Sequence, residues 1–189
     1  MKYLIKILKI YTPIILIFIG LATISLTTDQ NMYQEPSVHD KALYDFIAKM
    51  GSKFEKKYKI SLIGRGGGAT PEGIWLMCVS FEREDEPLTE EEARKLIIHC
   101  VDDFLSAVNS DEKLKPFLKE YPFTPKNLEL TIFNYNKSRI LHCFPSIAVV
   151  KDLRGKIGFF TEDPSTKPRY HTKKYETYEE SVAILKNEH

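Results

Sequence analysis

The sequence predicts an α+β domain in which helices pack mainly on one face of an antiparallel or mixed sheet of about five strands. One N-terminal transmembrane helix precedes this domain. Three observations carry the prediction: a long uncharged apolar run at the N-terminus, two amphipathic helices with clear start signals, and strand patterns that follow one another in runs. Strands that follow one another directly favour hairpins over a doubly wound parallel sheet.

The apolar run extends from Ile10 to Leu26 and contains 17 residues without a charge. As a helix it would cover roughly 25 Å, which is at the short end for crossing a bilayer. We therefore predict a membrane anchor at residues 1–28, in contact with the membrane through residues 10–26, and a polar spacer at 29–37.

Charges on the two sides of the run predict its orientation. The first 28 residues contain three lysines and no acid, whereas Asp29, Glu35 and Asp40 follow the run. The positive-inside rule then places the N-terminus in the cytoplasm and the domain at 38–189 outside it. A cleaved signal peptide and a secreted protein are the alternative. Threonine stands where a cleavage site needs small residues, as in Thr23–Ser25, so the anchor is favoured.

Composition limits the class of protein. Hydrophobic residues make up 43% of the chain and charged residues 28%, as in an ordinary globular domain. The net charge is +1 with three lysines in the anchor, so the domain is close to neutral and nucleic acid is not an expected partner. The cysteines, Cys78, Cys100 and Cys143, are too few for a disulfide scaffold, although one pair could join.

Two segments have the start signals and apolar spacing of helices. Ser37 and Asp40 form the capping pattern of a helix over 39–57, and Thr89 with Glu92 forms that of a helix over 89–109. The residues predicted to face the core from these helices are Leu43, Phe46, Ile47, Met50, Phe54, Ala93, Leu96, Ile97, Cys100, Val101, Phe104, Leu105 and Val108.

The remaining elements follow from alternation, length and turn residues. Leu128, Leu130 and Ile132 share one face of a half-buried strand. The predicted strands are 59–64, 74–81, 127–135, 141–150 and 156–161, with short helices at 111–119 and 178–185 and a loop at 162–175.

A glycine cluster between the first two strands is the first candidate site. Gly64, Gly66 and Ala69 fit a loose form of the dinucleotide-binding fingerprint. That fingerprint needs a helix directly behind the loop, and here a strand pattern follows, so we predict a simple connection. An anion- or nucleotide-binding loop remains an alternative, formed by Gly64, Arg65, Gly66, Gly67 and Gly68.

Cysteine and histidine offer a second chemistry. A cysteine-dependent hydrolase could pair Cys143 or Cys78 with His142 or His171, but a reactive thiolate needs a positive and partly open setting. The dipeptides at 99–100 and 142–143 are poor metal sites, because adjacent side chains point in different directions. We expect no metal and no cofactor.

No catalytic pattern in the sequence outweighs a structural explanation of the same residues. The best hypothesis is a non-catalytic, membrane-tethered accessory or binding domain that faces away from the cytoplasm. Its protein partner is not identified by the residues, and the Cys-His hydrolase and the glycine-loop ligand site are the alternatives.

Overall fold

The computed structural model describes residues 37–187, which form a six-stranded mixed sheet with three α-helices. The predicted α+β class is confirmed for this part of the chain. In chain order the helices and strands are α1 (Val38–Tyr58), β1 (Ile60–Thr70), β2 (Gly73–Glu84), α2 (Glu90–Ser110), β3 (Leu128–Tyr135), β4 (Val149–Leu153), β5 (Lys156–Glu162), β6 (Tyr170–Thr177) and α3 (Tyr178–Asn187).

Within residues 37–187, no helix combines the length and the apolar character needed to cross a membrane. The predicted anchor at residues 1–28 lies outside the described residues.

The strands lie side by side in sequence order, from β1 at one edge to β6 at the other. Every neighbouring pair is antiparallel except β2 and β3, which are parallel. α2 connects these two strands, because parallel neighbours need a crossover that is much longer than a hairpin. The sheet is therefore mixed.

Helices α1 and α2 begin at the predicted capping residues. The Ser37 hydroxyl accepts a hydrogen bond from the Asp40 N–H at 3.1 Å, and Thr89 accepts one from Glu92 at 3.2 Å. Each acid in turn accepts the N–H of its capping residue. Both capping boxes are confirmed, and they leave few unpaired N–H groups at the helix starts.

The helices pack on one face of the sheet and share one hydrophobic core with it. The ring of Phe54 on α1 lies 5.3 Å from that of Phe81 on β2 and 6.3 Å from that of Phe104 on α2. Leu96, predicted to be in the core, is only half-buried, while its neighbour Arg94 is buried.

The opposite sheet face carries a second, smaller apolar cluster. Ala148, Val149 and Phe160 are buried there, with Phe133 packed against them. No helix of the described residues contributes to this cluster. The helices of residues 37–187 thus cover one face, as predicted.

Three predicted segments were wrong in part. Residues 111–119 form turns and a short 3₁₀ helix at Lys115–Phe117, where Pro116 lacks the N–H that a continuing helix requires. Of 141–150 only the last two residues belong to a strand, β4, because Pro145 cannot donate to a ladder. The predicted loop at 162–175 contains most of β6, whose only buried residue is Glu176, so no apolar alternation marks it.

The glycine cluster was also misassigned, because it forms most of β1 and not a loop. The chain turns only after it, at Pro71 and Glu72, and Gly73, the first residue of β2, has a φ of +136°. A side chain at Gly67 would place Cβ 2.4 Å from the carbonyl oxygen of Leu76, and one at Gly68 would place it 2.4 Å from the ring of Trp75. Glycine is required at Gly67 and Gly68 because neighbouring atoms lie too close for a side chain, and not because φ is positive there.

Candidate binding surface: the outer edge of strand β1

Strand β1 forms one edge of the sheet and pairs only with β2 among the described residues. It is 11 residues long, and only Ile60 is buried. In an extended edge strand, about half of the N–H and C=O groups point away from the neighbouring strand and have no partner in the sheet. β1 therefore presents a row of main-chain donors and acceptors on its outer side.

All five predicted ligand-binding candidates lie on this strand. Gly64, Arg65, Gly66, Gly67 and Gly68 pair in order with Ser80, Val79, Cys78, Met77 and Leu76 of β2. A tight turn and then β2 follow, so the hairpin offers this cluster no helix N-terminus of the kind that holds a pyrophosphate. The geometry is that of an edge strand and not of a phosphate-binding loop.

Arg65, the one charged residue of β1, is turned toward α1. Its guanidinium carbon lies 5.0 Å from the ring centroid of Tyr44, and one N–H group donates to the Tyr44 carbonyl oxygen at 3.5 Å. A side chain at Gly66 would meet no atom within 4 Å. The face of β1 at Gly66 is therefore open.

The opposite edge of the sheet, strand β6, is built differently. Its residues include His171, Lys173 and Lys174, and the Lys174 ammonium group lies 2.8 Å from the carboxylate of Glu176 and 3.3 Å from that of Glu90. Lysines along an edge strand discourage pairing with another chain, because their charges would have to be desolvated.

Beneath this edge lies a buried ion pair that the sequence did not reveal. Arg94 on α2 donates two hydrogen bonds to Glu176, at 2.9 and 2.7 Å, and a third to Glu90 at 2.8 Å. Ser181 on α3 donates to Glu176 at 2.6 Å. Burial alone would raise the pKa of Glu176, but the bonds from Arg94, Lys174 and Ser181 lower it to about 2.

The structure does not assemble the Cys-His pair of the alternative hydrolase hypothesis. Cys78 lies 3.7 Å from a carboxylate oxygen of Glu129, and burial together with this acid raises the pKa of its thiol to about 11. Burial likewise raises the pKa of Cys100. Cys143 is exposed, and its sulfur lies 3.7 Å from the Leu141 carbonyl oxygen.

The histidine beside Cys143 has another partner. A ring nitrogen of His142 lies 2.9 Å from the carbonyl oxygen of Asp85. Within residues 37–187, no hydrogen bond joins a cysteine to a histidine, and no group of three or more His, Cys, Asp or Glu side chains could hold a metal ion.

A groove of about 650 Å³ lies between α1 and the C-terminal end of α2. Its lining includes Lys49, Lys53, Lys113, Asp111 and Glu112, and the Lys49 ammonium group lies 3.1 Å from the Asp111 carboxylate. Because both acidic and basic side chains line the groove, it favours neither an anion nor a cation.

Comparisons with protein-family models, with curated proteins and with solved structures found no match to this chain.

Proposed function

We propose that this protein is a non-catalytic binding domain, tethered to a membrane by its N-terminal segment, that recognises an extended polypeptide segment along β1. The observation that carries the proposal is the outer edge of β1, which pairs with no other strand of residues 37–187. Partners that add a strand to a sheet gain affinity from main-chain hydrogen bonds and specificity from alternate side chains.

The chemistry of the edge defines the class of partner. Only another extended polypeptide supplies N–H and C=O groups at the spacing of a β-strand. The edge is 11 residues long, and its single charged residue, Arg65, lies against Tyr44. Unlike β6, strand β1 contains no lysine that would oppose pairing with another strand. An edge with so little charge, and uncovered by any strand of residues 37–187 on its outer side, is a liability unless a partner uses it.

The cysteines support binding over catalysis. A nucleophilic thiol requires a lowered pKa, whereas the pKa values of Cys78 and Cys100 are raised. Cys143, the exposed cysteine, has a carbonyl oxygen as its neighbour and not a base.

The tether belongs to the same proposal. The apolar run at residues 10–26 is long enough to hold the domain at a membrane, and the lysines before it favour a cytoplasmic N-terminus. The domain would then meet its partner outside the cytoplasm.

A selection from a phage-displayed library of linear peptides tests the proposal. The full-length chain in detergent micelles would be the bait, and enriched peptides would be synthesised and added back to it. We expect hydrogen–deuterium exchange to slow in β1 on peptide binding, because newly paired amides are protected. Protection elsewhere with β1 unchanged would contradict the proposal.

A matched pair of variants locates the binding. Ile63 on β1 is 48% exposed and Ile140, far from β1 in the sequence, is 54% exposed. Ile63→Lys places a charge on the edge and should reduce peptide binding at least tenfold, whereas Ile140→Lys makes the same chemical change elsewhere and should leave it unchanged. Equal effects of the two substitutions would rule out the β1 edge.

Topology is tested separately. Cysteines introduced at Asn31 and Asn187, after replacement of Cys78, Cys100 and Cys143, should react with an impermeant thiol reagent on intact cells. Labelling that appears only after lysis would contradict the extracytoplasmic location and leave the binding edge unaffected.

A further inference from the structure

Asp152 is a completely buried acid near the end of β4. One of its carboxylate oxygens accepts the N–H of Gly155 at 2.7 Å, within the turn between β4 and β5. The other oxygen is buried and has no hydrogen-bond partner among residues 37–187. A buried ionised carboxylate with an unpaired oxygen is unfavourable, whereas its protonated form carries no charge to desolvate.

The groups around Asp152 do not compensate its charge. Glu129 on β3 acts on it as a second acid, and Tyr178 at the start of α3 is a neutral phenol whose hydroxyl donates to Asp102 on α2. Glu179 is the next residue of α3, and the residue opposite Asp152 on β5 is Ile157.

Burial, followed by the charge of Glu129, raises the pKa of Asp152 to about 7, although the Gly155 N–H opposes this shift. Asp152 is thus one buried carboxyl that gains or loses its proton near neutral pH.

The turn that Asp152 closes also holds the start of α3. The N–H of Tyr178 donates to the carbonyl oxygen of Gly155 at 3.0 Å. Ser181 is the only buried residue of α3, and a crevice of about 200 Å³ lies between this helix and α2, lined by Ile98 and Val182 among others. An element with so little buried surface opens at a lower free energy than the core.

We propose that Asp152 is a proton-operated latch for α3, which stays docked while the carboxyl is protonated and loosens when the carboxyl ionises. Undocking would hydrate the carboxyl group, and hydration stabilises its ionised form. Because the folded-state pKa is above that of a hydrated aspartate, proton binding favours the docked helix. This contribution is complete at acidic pH and is lost as the pH rises to about 7.

Hydrogen–deuterium exchange of the full-length chain in detergent micelles, corrected for intrinsic rates, tests the latch between about pH 5 and pH 8. We expect the opening equilibrium of α3 to rise about tenfold per pH unit up to pH 7 and then to level off, as for the release of one proton. Peptides from β3 should show no such rise.

Two variants separate the latch from a general effect of charge. Asp152→Asn keeps the shape but cannot ionise, so it should abolish the pH dependence of α3 opening. Asp102→Asn removes another acid beside Tyr178, and this variant should retain the pH dependence of α3 opening. A flat profile in the wild type, an unchanged slope in Asp152→Asn, or an equal rise in α3 and β3 would each overturn the proposal. If Asp152→Asn does not fold, the wild-type protein alone tests the proposal: a rise of opening with pH in α3 and not in β3 supports it, and any other pair of profiles overturns it.

Discussion

The two edge strands of the sheet differ in the contacts that fix them to the domain and in the charged side chains that they carry. β6 is fastened from beneath by the Arg94–Glu176 ion pair, and its residues include lysines. β1 is held by its pairing with β2 and by α1, and its one charged side chain lies against Tyr44. In the part of the chain that the structure describes, the outer side of both strands is unpaired, but only β6 carries lysines that oppose pairing.

One edge is thus held by a buried ionic network, whereas the other, β1, has no such network among residues 37–187 and is the edge to which we assign binding in the proposal above. A partner strand at β6 would have to displace or desolvate Lys173 and Lys174. At β1 it would meet glycines and main-chain groups. The largest effects of substitution are therefore expected in the network under β6, and smaller ones at the edge of β1.

Removal of Glu176 should have the largest effect. Glu176→Ala leaves the guanidinium of Arg94 buried without its bidentate partner, and breaking a buried pair in this way costs about 3–5 kcal/mol. Urea unfolding followed by circular dichroism would measure the loss. Arg139→Ala removes a similarly short bidentate pair with Glu82, but Arg139 is exposed, so its loss should cost much less than the loss of Glu176. Similar losses of stability in both variants would show that the buried pair under β6 contributes no more than an exposed one.

Acid should weaken the same network. The pKa of Glu176 is lowered to about 2 in the folded protein, so the folded state binds its proton less readily than the unfolded chain does. Its stabilising contribution is therefore present above about pH 4.5 and is lost as the pH falls toward 2. Thermal melts at successive pH values should show this decline in the wild type and a smaller one in Glu176→Gln. A decline of the same size in both proteins would assign it to other carboxylates.

At β1 the effects should be smaller and should depend on position. Gly67→Ala places Cβ 2.4 Å from the Leu76 carbonyl oxygen and should cost about 1–3 kcal/mol. Gly66→Ala places Cβ in open space and should change stability by less than about 0.5 kcal/mol. Chemical denaturation of both variants compares them directly. Equal costs would indicate that loss of glycine flexibility, and not close approach, dominates.

The smallest effect on stability is expected for Ile63→Lys. Its half-exposed side chain contributes little to the core, so the free energy of unfolding should change by less than about 0.5 kcal/mol. Self-association on mild heating, followed by light scattering, should nevertheless fall, because an edge lysine opposes strand pairing. His171→Lys on β6 adds a lysine to an edge that already has them and should not change the scattering.

Local patterns predicted the elements whose signals are contained in a few neighbouring residues. Ser37 with Asp40 and Thr89 with Glu92 marked the starts of α1 and α2, because a capping box is formed within one turn. Leu128, Leu130 and Ile132 marked β3 through alternation. Strand β6 escaped prediction because its residues are polar on both sides and only Glu176 is buried.

The candidate sites depended on residues that are far apart in the chain. The sequence identified the glycine cluster but assigned it to a loop, since glycines carry no side-chain periodicity that would mark a strand. Arg94 and Glu176 are 82 positions apart, and nothing near either residue indicates that they would be buried together. Asp152 likewise lies between two predicted strands, where nothing in the neighbouring residues indicates that it would be completely buried.

The sequence by itself determined the helix starts, the apolar faces that form the core and the α+β class, because these follow from periods and caps along a short stretch of chain. The anchor at residues 1–28 stays a prediction. Only the tertiary structure decided the strand order, which makes β1 an edge of the sheet in residues 37–187. It also decided the burial that pairs Glu176 with Arg94 and leaves one oxygen of Asp152 without a partner among the same residues. Edge position and burial are properties of the assembled sheet, since they depend on which distant segments come to lie beside a residue.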